Sequence, residues 1–281
     1  MGDSMAAHSL QEKTFEFEGM EVAYLQGGTG SPLLLIHGSG PGASSLGNWR
    51  TVLPALTARH QVFAMDLIGF GRSPRRPTPP YFDLALWVRQ ARAMLARIDA
   101  PRVGIIGHSI SGAIALRLAA LEKRVAAVLT TGTMGRPFEA TDATRRCWTC
   151  PTDRQTLIAT LRGLIHDPSV IDEPYLAARE PVLFAPGYAN YFDAMFEQEP
   201  AHYIAQTVLD DATLAAISCP VTLLHGRDDV AFPPSSSIGI AASLRRADLV
   251  LLSECSHSVA FERTDMFLAC AETCFSRLAL D

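Results

Sequence analysis

Three residue types in this chain could together open a carbonyl compound: a serine, a carboxylate and a histidine. The serine is Ser109, in Val103-Gly104-Ile105-Ile106-Gly107-His108-Ser109-Ile110-Ser111-Gly112-Ala113-Ile114-Ala115-Leu116. This stretch starts as an apolar run of strand character, passes a knot of small residues, and continues as an Ala/Leu-rich segment of helical character. Strand, sharp turn and helix with Ser at the apex is the setting of a nucleophile elbow. The turn forces strained angles on the Ser, so its neighbours must be small. Gly107, Ser111 and Gly112 meet that need, although Ser111 stands where Gly is usual. A Gly/Ser loop between a strand and a helix is the plainer reading. As an elbow, the stretch aims the helix N-terminus and the Ile110 N–H at the space above Ser109, where an oxyanion would form.

The histidine is His257, in the loop Ser253-Glu254-Cys255-Ser256-His257-Ser258 after the last apolar run. The carboxylate comes from Gly226-Arg227-Asp228-Asp229, after Val221-Thr222-Leu223-Leu224-His225. Neutral Ser is a poor nucleophile, and a His with an ordinary pKa of ~6.5 can take its proton at neutral pH. A carboxylate fixes the His tautomer and stabilises the imidazolium. Adjacent residues at a strand end point different ways, so only one of Asp228 and Asp229 can face His257. All three roles fall at C-terminal ends of predicted parallel strands, where open α/β sheets place their sites.

A second loop, His37-Gly38-Ser39-Gly40-Pro41-Gly42-Ala43-Ser44-Ser45, follows the apolar run Leu33-Leu34-Leu35-Ile36. A phosphate loop would need a Gly-Lys-Ser/Thr ending, which is absent. Asp66 follows at a distance that could suit a dinucleotide site, but Pro41 spoils the turn such a site requires. His-Gly-x-Gly after a strand suits the other half of an oxyanion hole, with the Ser39 N–H as donor and Gly40 next. His37 reads as a packed histidine that braces the loop.

The elements that must hold these residues are strands alternating with helices, which predicts an α/β fold with a mainly parallel sheet covered on both faces. Phe15-Glu16-Phe17 and Glu21-Val22-Ala23-Tyr24-Leu25 alternate around Glu18-Gly19 as a hairpin. Gln61-Val62-Phe63-Ala64-Met65, Val125-Ala126-Ala127-Val128-Leu129 and Leu249-Val250-Leu251-Leu252 read as further strands. Tyr81 to Ile98 reads as an amphipathic helix and Arg263 to Leu280 as a closing one. From about Met134 the pattern changes to short helices broken by Pro151, Pro168, Pro174, Pro181, Pro186 and Pro200. This segment carries Phe184, Tyr188, Tyr191, Phe192, Phe196 and Tyr203. The expected organisation is a core over 1–133 and 213–281, with a helical lid over 134–212 and an apolar pocket beneath it.

Composition narrows the function. With 48% hydrophobic and 19% charged residues, a sizeable core is expected and global disorder is not. Twenty-four Lys and Arg against 29 Asp and Glu, with no basic block, exclude nucleic acid as the expected partner. Met1 to Lys13 lacks the layout of a secretory signal, and Ala6 stands where N-myristoylation wants Ser or Thr. No apolar run reaches the length of a membrane span. A cytoplasmic location without a membrane partner is therefore expected. Cys147-x-x-Cys150 lacks a second metal half-site, and Cys219, Cys255, Cys270 and Cys274 are scattered, so reduced thiols and no metal are expected. No cofactor is implied, because a triad and an oxyanion hole suffice for hydrolysis.

Taken together, these residues resemble the α/β-hydrolases over almost the whole chain. More narrowly, the chain resembles the meta-cleavage product hydrolases, which cleave C–C bonds of 2-hydroxy-6-oxo-hexa-2,4-dienoates in bacterial aromatic-ring degradation. The motifs are His37 to Gly42 with Asn48-Trp49-Arg50, Asp66 through Ser73, and His225-Gly226-Arg227-Asp228-Asp229. The lid adds His166-Asp167-Pro168-Ser169 and Tyr175-Leu176-Ala177-Ala178-Arg179. The resemblance implies Asp229 as the acid. It implies Ser109 as nucleophile, or as the residue that polarises an attacking water, and His257 as the group that ketonises the dienol. Arg179 then holds the substrate carboxylate; the alternative is a solvated salt bridge on the lid. Asn48 and Gly40 line the site, and the family often forms homodimers. His108 and Ser258 depart from it, standing where the family usually has Asn and Trp. They border the small-molecule substrate and bear on its identity more than on the triad. Two other activities fit the same residues: a carboxylesterase or lactone hydrolase, favoured by His108, and a ligand-binding receptor that keeps the triad.

Overall fold

Eight strands form the sheet in the computed structural model, which describes residues 10–279. They are β1 (Gln11–Phe17), β2 (Met20–Gly27), β3 (Ser31–Ile36), β4 (His60–Met65), β5 (Val103–His108), β6 (Val125–Thr131), β7 (Val221–Gly226) and β8 (Ala247–Leu252). Their spatial order is β1-β2-β4-β3-β5-β6-β7-β8. β1 and β2 form the predicted hairpin and β2 pairs antiparallel with β4. From β4 onward every pairing is parallel. The unbroken apolar runs lie at the centre: every residue of β5 is buried, and β3 is buried after its first residue. A strand covered on both faces has no need of polar alternation. Residues 1–9 of the stretch read for targeting signals, and Leu280 of the predicted closing helix, lie outside the described residues.

Helices α1 (Ser45–Trp49) and α2 (Leu53–Thr57) follow β3; α3 (Leu84–Arg97) follows β4 and α4 (Ile110–Leu121) follows β5. The predicted helix from Tyr81 starts three residues late because Asp83 caps it, its carboxylate accepting from the Leu86 N–H at 2.8 Å. Between β6 and β7 the chain runs through α5 (Asp142–Cys147), α6 (Arg154–Arg162), α7 (Glu173–Ala177), α8 (Glu180–Leu183), α9 (Tyr188–Met195), α10 (Pro200–Thr207) and α11 (Asp211–Ala216), without a strand. The Pro residues read as breaks are also starts: α7, α8 and α10 each carry Pro in the first turn, where its missing N–H costs nothing. After β7 come α12 (Ser235–Ser243), then α13 (Val259–Glu262) and α14 (Thr264–Phe275). The sequence reading has no helix at α12, whose Ser-rich first turn carries no apolar period. Two apolar cores flank the sheet. One gathers α3, α4 and the insertion; the other gathers α1, α2 and α14 around Trp49 and Phe267.

Candidate active site

Ser109 sits immediately after β5 with φ +59° and ψ −122°, a conformation that L-residues with a side chain rarely adopt. Its surroundings leave no room for larger neighbours. A Cβ on Gly107 would lie 2.3 Å from the Ser111 carbonyl oxygen, and one on Gly112 would lie 1.8 Å from Thr133 Oγ1. Ser111, standing where Gly is usual, donates its hydroxyl to the His37 carbonyl at 2.5 Å and so ties the elbow to the Ser39 loop. The Ser109 hydroxyl has no hydrogen-bond partner among the described residues, and it shares one cavity with His257.

His257 follows β8, and its Nδ1 lies 2.7 Å from Asp229 Oδ2. Asp229 is buried after β7, and its Oδ1 accepts from the Ala231 and Phe232 N–H groups at 3.1 and 2.9 Å. Burial alone would raise the Asp229 pKa. The His257 charge and hydrogen bonds from His225 and His257 outweigh it and hold the carboxyl below its usual range. Asp228 turns the other way, 3.5 Å from His166 and half-exposed. With Nδ1 committed to Asp229, the free ring nitrogen of His257 is Nε2. Gly132, at φ +52°, is a position only Gly can fill, because a Cβ would lie 2.8 Å from His257 Nδ1. The Phe232 ring covers His257 at 4.4 Å between centroids, and the His108 ring lies 4.6 Å away.

His108 is buried, with Nδ1 2.9 Å from Thr131 Oγ1 and 3.2 Å from the Thr131 carbonyl. Burial, and then the His257 charge beside it, push its pKa well below 6.5, so it stands neutral in the cavity wall. His37 braces its loop as expected: Nδ1 donates to the Gly38 carbonyl at 2.6 Å and Nε2 accepts from the Leu67 N–H at 3.0 Å. Asp66 also serves the loops, accepting from the Ser45 and Arg72 N–H groups at 2.6 and 3.0 Å. The N–H groups of Ser39 and Ile110 have no partner among the described residues. The Ser39 hydroxyl accepts from the Trp148 indole N–H at 3.2 Å.

The cavity over Ser109 holds about 30 Å³. Ser39, Gly40, Asn48, His108, His257 and Ser258 line it from the strand ends, while Cys147, Leu161, Leu164, Tyr175 and Arg179 line it from the insertion. Asp229 and Ile110 stand just behind that lining. None of the six aromatic residues read from 184 to 203 lines it; five are buried in packing and Phe184 is exposed. Arg179 is only 8% exposed. It donates to the Pro41 carbonyl at 3.3 Å and to the Tyr175 hydroxyl at 3.0 Å, its Nε is unpartnered, and it forms no ion pair among the described residues. The solvated salt bridge is thus not what the structure has. Cys147 and the other five thiols are free, and burial pushes the Cys147 thiol up to about 12. Among the described residues no cluster of three or more His, Cys, Asp or Glu is placed to hold a metal. No described helix is long and apolar enough to cross a membrane.

Sequence reasoning missed Trp148, Phe232 and the part played by His225, whose Nε2 lies 2.8 Å from the Phe232 carbonyl and 3.3 Å from Asp229 Oδ2. A signal existed for Trp148: a buried Trp usually finds a partner for its N–H, and this one lies in an apolar insertion next to a strand-end loop.

Comparison with known proteins places the chain in a family. The profile of the alpha/beta hydrolase family matches residues 33–269. A 2-hydroxy-6-oxo-2,4-heptadienoate hydrolase of Pseudomonas putida is 28% identical over 251 residues, covering 89% of this chain and 91% of that protein. A 2-hydroxymuconate semialdehyde hydrolase of Pseudomonas sp. (strain CF600) is 28% identical over 250 residues, covering 89% and 88%. Among solved structures, a mutant meta-cleavage product hydrolase from Pseudomonas fluorescens IP01, complexed with acetates, superposes with a TM-score of 0.88. It is 27% identical, with 94% of this chain and 97% of that one covered. A sheet of this order, a strained serine after its fifth strand, and a profile match over most of the length lead to one conclusion: the chain belongs to the alpha/beta hydrolase family, and it is an enzyme of that family similar to meta-cleavage product hydrolases.

Proposed function

We propose that this enzyme cleaves a C–C bond of a carboxylated ring-fission product of the 2-hydroxy-6-oxo-hexa-2,4-dienoate type, with Ser109, His257 and Asp229 as its triad. The observation that carries the reading is Arg179: a buried guanidinium in the cavity wall that forms no ion pair among the described residues. A buried charge without a partner is costly, and a substrate carboxylate supplies one. Asn48 and Gly40 border the same space.

The chemistry follows from the atoms available. His257 Nε2 takes the proton of the substrate 2-hydroxyl and gives it to C5, which leaves the keto form and a neutral imidazole. Ser109 Oγ then bonds to C6 as His257 takes its proton, and the negative oxygen lies against the Ser39 and Ile110 N–H groups. The C5–C6 bond breaks, its electron pair passing into the conjugated 2-oxo acid, and His257 returns a proton to that leaving group. Water, deprotonated by His257, then adds to the acyl carbon; the C–Oγ bond breaks, Ser109 Oγ takes the proton back from His257, and the carboxylic acid product leaves. Attack by a water polarised by Ser109 reaches the same products. The 134–212 segment acts as a lid that excludes solvent from these steps.

His108 supports a second reading, cleavage of a carboxylic ester, since it presents a neutral imidazole where the resembled family presents an amide. A turnover panel of ring-fission dienoates beside neutral aryl esters tests both. Dienoate cleavage with Arg179-dependent kcat/KM is the expected result. Undetectable dienoate turnover beside brisk ester cleavage would replace the first reading with the second.

A further inference from the structure

Trp148 lies outside the cavity lining, yet it touches both sides of the site. It is buried at the end of α5, and its ring stacks on Phe196 with 5.4 Å between centroids and an interplanar angle of 5°. The ring also meets Phe232 at 5.6 Å, and Phe232 in turn covers His257. The polar end of the indole donates to Ser39 Oγ at 3.2 Å. A serine hydroxyl has one proton and two lone pairs. Here the indole occupies a lone pair, and no described residue accepts the proton. Ser39 is 2% exposed and lines the cavity above Ser109, so the open direction for that proton is the cavity itself.

We propose that Trp148 is a positioning residue, carried by the insertion, that turns the Ser39 hydroxyl into a further donor for the oxygen that becomes negative during catalysis. The inference rests on the serine-hydrolase reading of the site, though not on the identity of its substrate. Without the indole N–H, the Ser39 hydroxyl can rotate and donate elsewhere. With it, the donor is aimed before substrate arrives, which is what makes such a donor effective. The insertion thereby supplies part of the oxyanion hole through a residue that never touches substrate.

The test is the rate at which an aryl phosphonate labels Ser109, because this reaction builds negative charge on the same oxygen position whatever the natural substrate. It is measured in wild type, Trp148→Phe, Ser39→Ala and the double variant, together with kcat and KM on whichever dienoate or ester the enzyme turns over. Phe keeps the aromatic stack and removes only the N–H; thermal unfolding confirms that the variant is folded. The expected result is a labelling rate and a kcat about tenfold lower in Trp148→Phe, with KM little changed. Ser39→Ala should fall at least as far, and Trp148→Phe should add nothing in the Ser39→Ala background. Wild-type rates in a folded Trp148→Phe, or equal losses in both backgrounds, would overturn the proposal. A wild-type enzyme labelled elsewhere than Ser109 would overturn the serine-hydrolase reading, and this inference with it.

Discussion

The cavity has a floor and a roof of different construction. The floor is made of strand ends: Ser39 follows β3, Ser109 β5, Asp229 β7 and His257 β8, and the parallel ladder fixes their spacing. An added carbon would collide with Ser111 at Gly107, with Thr133 at Gly112 and with His257 at Gly132, so the floor has no slack around its serine and histidine. The roof is a set of short helices that share an apolar core with α3 and α4 and also make polar contacts to the floor. Arg50 reaches up to the Pro174 carbonyl at 2.6 Å and to Asp172 at 3.2 Å, and Trp148 reaches down to Ser39. On the proposed mechanism, such a division places the bond-making groups at strand ends and the carboxylate-binding Arg179 on the insertion. Substitutions in the triad should therefore affect every substrate alike, and a substitution at Arg179 should discriminate between them.

The largest effect should come from Ser109→Ala, a floor residue. Members of a triad act as a unit, and loss of the serine should lower kcat by about four to six decades for dienoates and esters alike. Residual activity near wild type would remove Ser109 from the mechanism. Asp229→Asn should come next, with kcat down by roughly 10⁴, because the wrong His257 tautomer would then be held in place.

Arg179→Ala tests the roof. It should lower kcat/KM for carboxylated dienoates by about 2–5 kcal/mol and leave a neutral aryl ester nearly untouched. Equal losses on both substrates would erase the distinction between roof and floor.

A smaller effect is expected from His108→Asn on the pH dependence of stability. The folded protein keeps His108 neutral, with its pKa well below the 6.5 of the unfolded chain. Its contribution is therefore complete above the unfolded value and is lost as pH falls toward the folded one. Unfolding midpoints followed from about pH 7.5 to about pH 5 should drop less steeply in His108→Asn, by at most about 1.4 kcal/mol per pH unit. His37, lowered in the same direction mainly by burial, leaves a residual slope. The smallest effect should come from Asp228→Asn. A half-exposed pair with His166 is worth about 0–1 kcal/mol of stability, and kcat should stay within about twofold. A loss matching that of Asp229→Asn would mean that the wrong neighbour had been assigned to His257.

The floor was legible in the sequence because its signals are local. An apolar run followed by Gly-x-Ser, by His-Gly-x-Gly or by Gly-x-x-Asp states both the strand and what stands at its end. The hairpin around Glu18-Gly19 and the parallel order were readable for the same reason. The roof was not. Its helices are four to nine residues long, too short for periodicity to show which face is buried. None of the aromatics at 184–203 lines the cavity, while Trp148, Leu161 and Leu164 reach the site through tertiary contacts that no spacing encodes. The same holds for α12, whose buried face includes Ser236 and Ser237, and for Phe232, whose place is set by where the loop after Asp229 folds back.

The His257 and Ser258 N–H groups both donate to one roof carbonyl, that of Leu164, at 3.1 and 3.2 Å. Leu164 itself lines the cavity over Ser109. Lifting at Leu164 strips two backbone bonds from the loop that carries His257. The seat of the proposed base therefore depends on one peptide of the insertion, so a change that displaces Leu164 would loosen His257 without touching it.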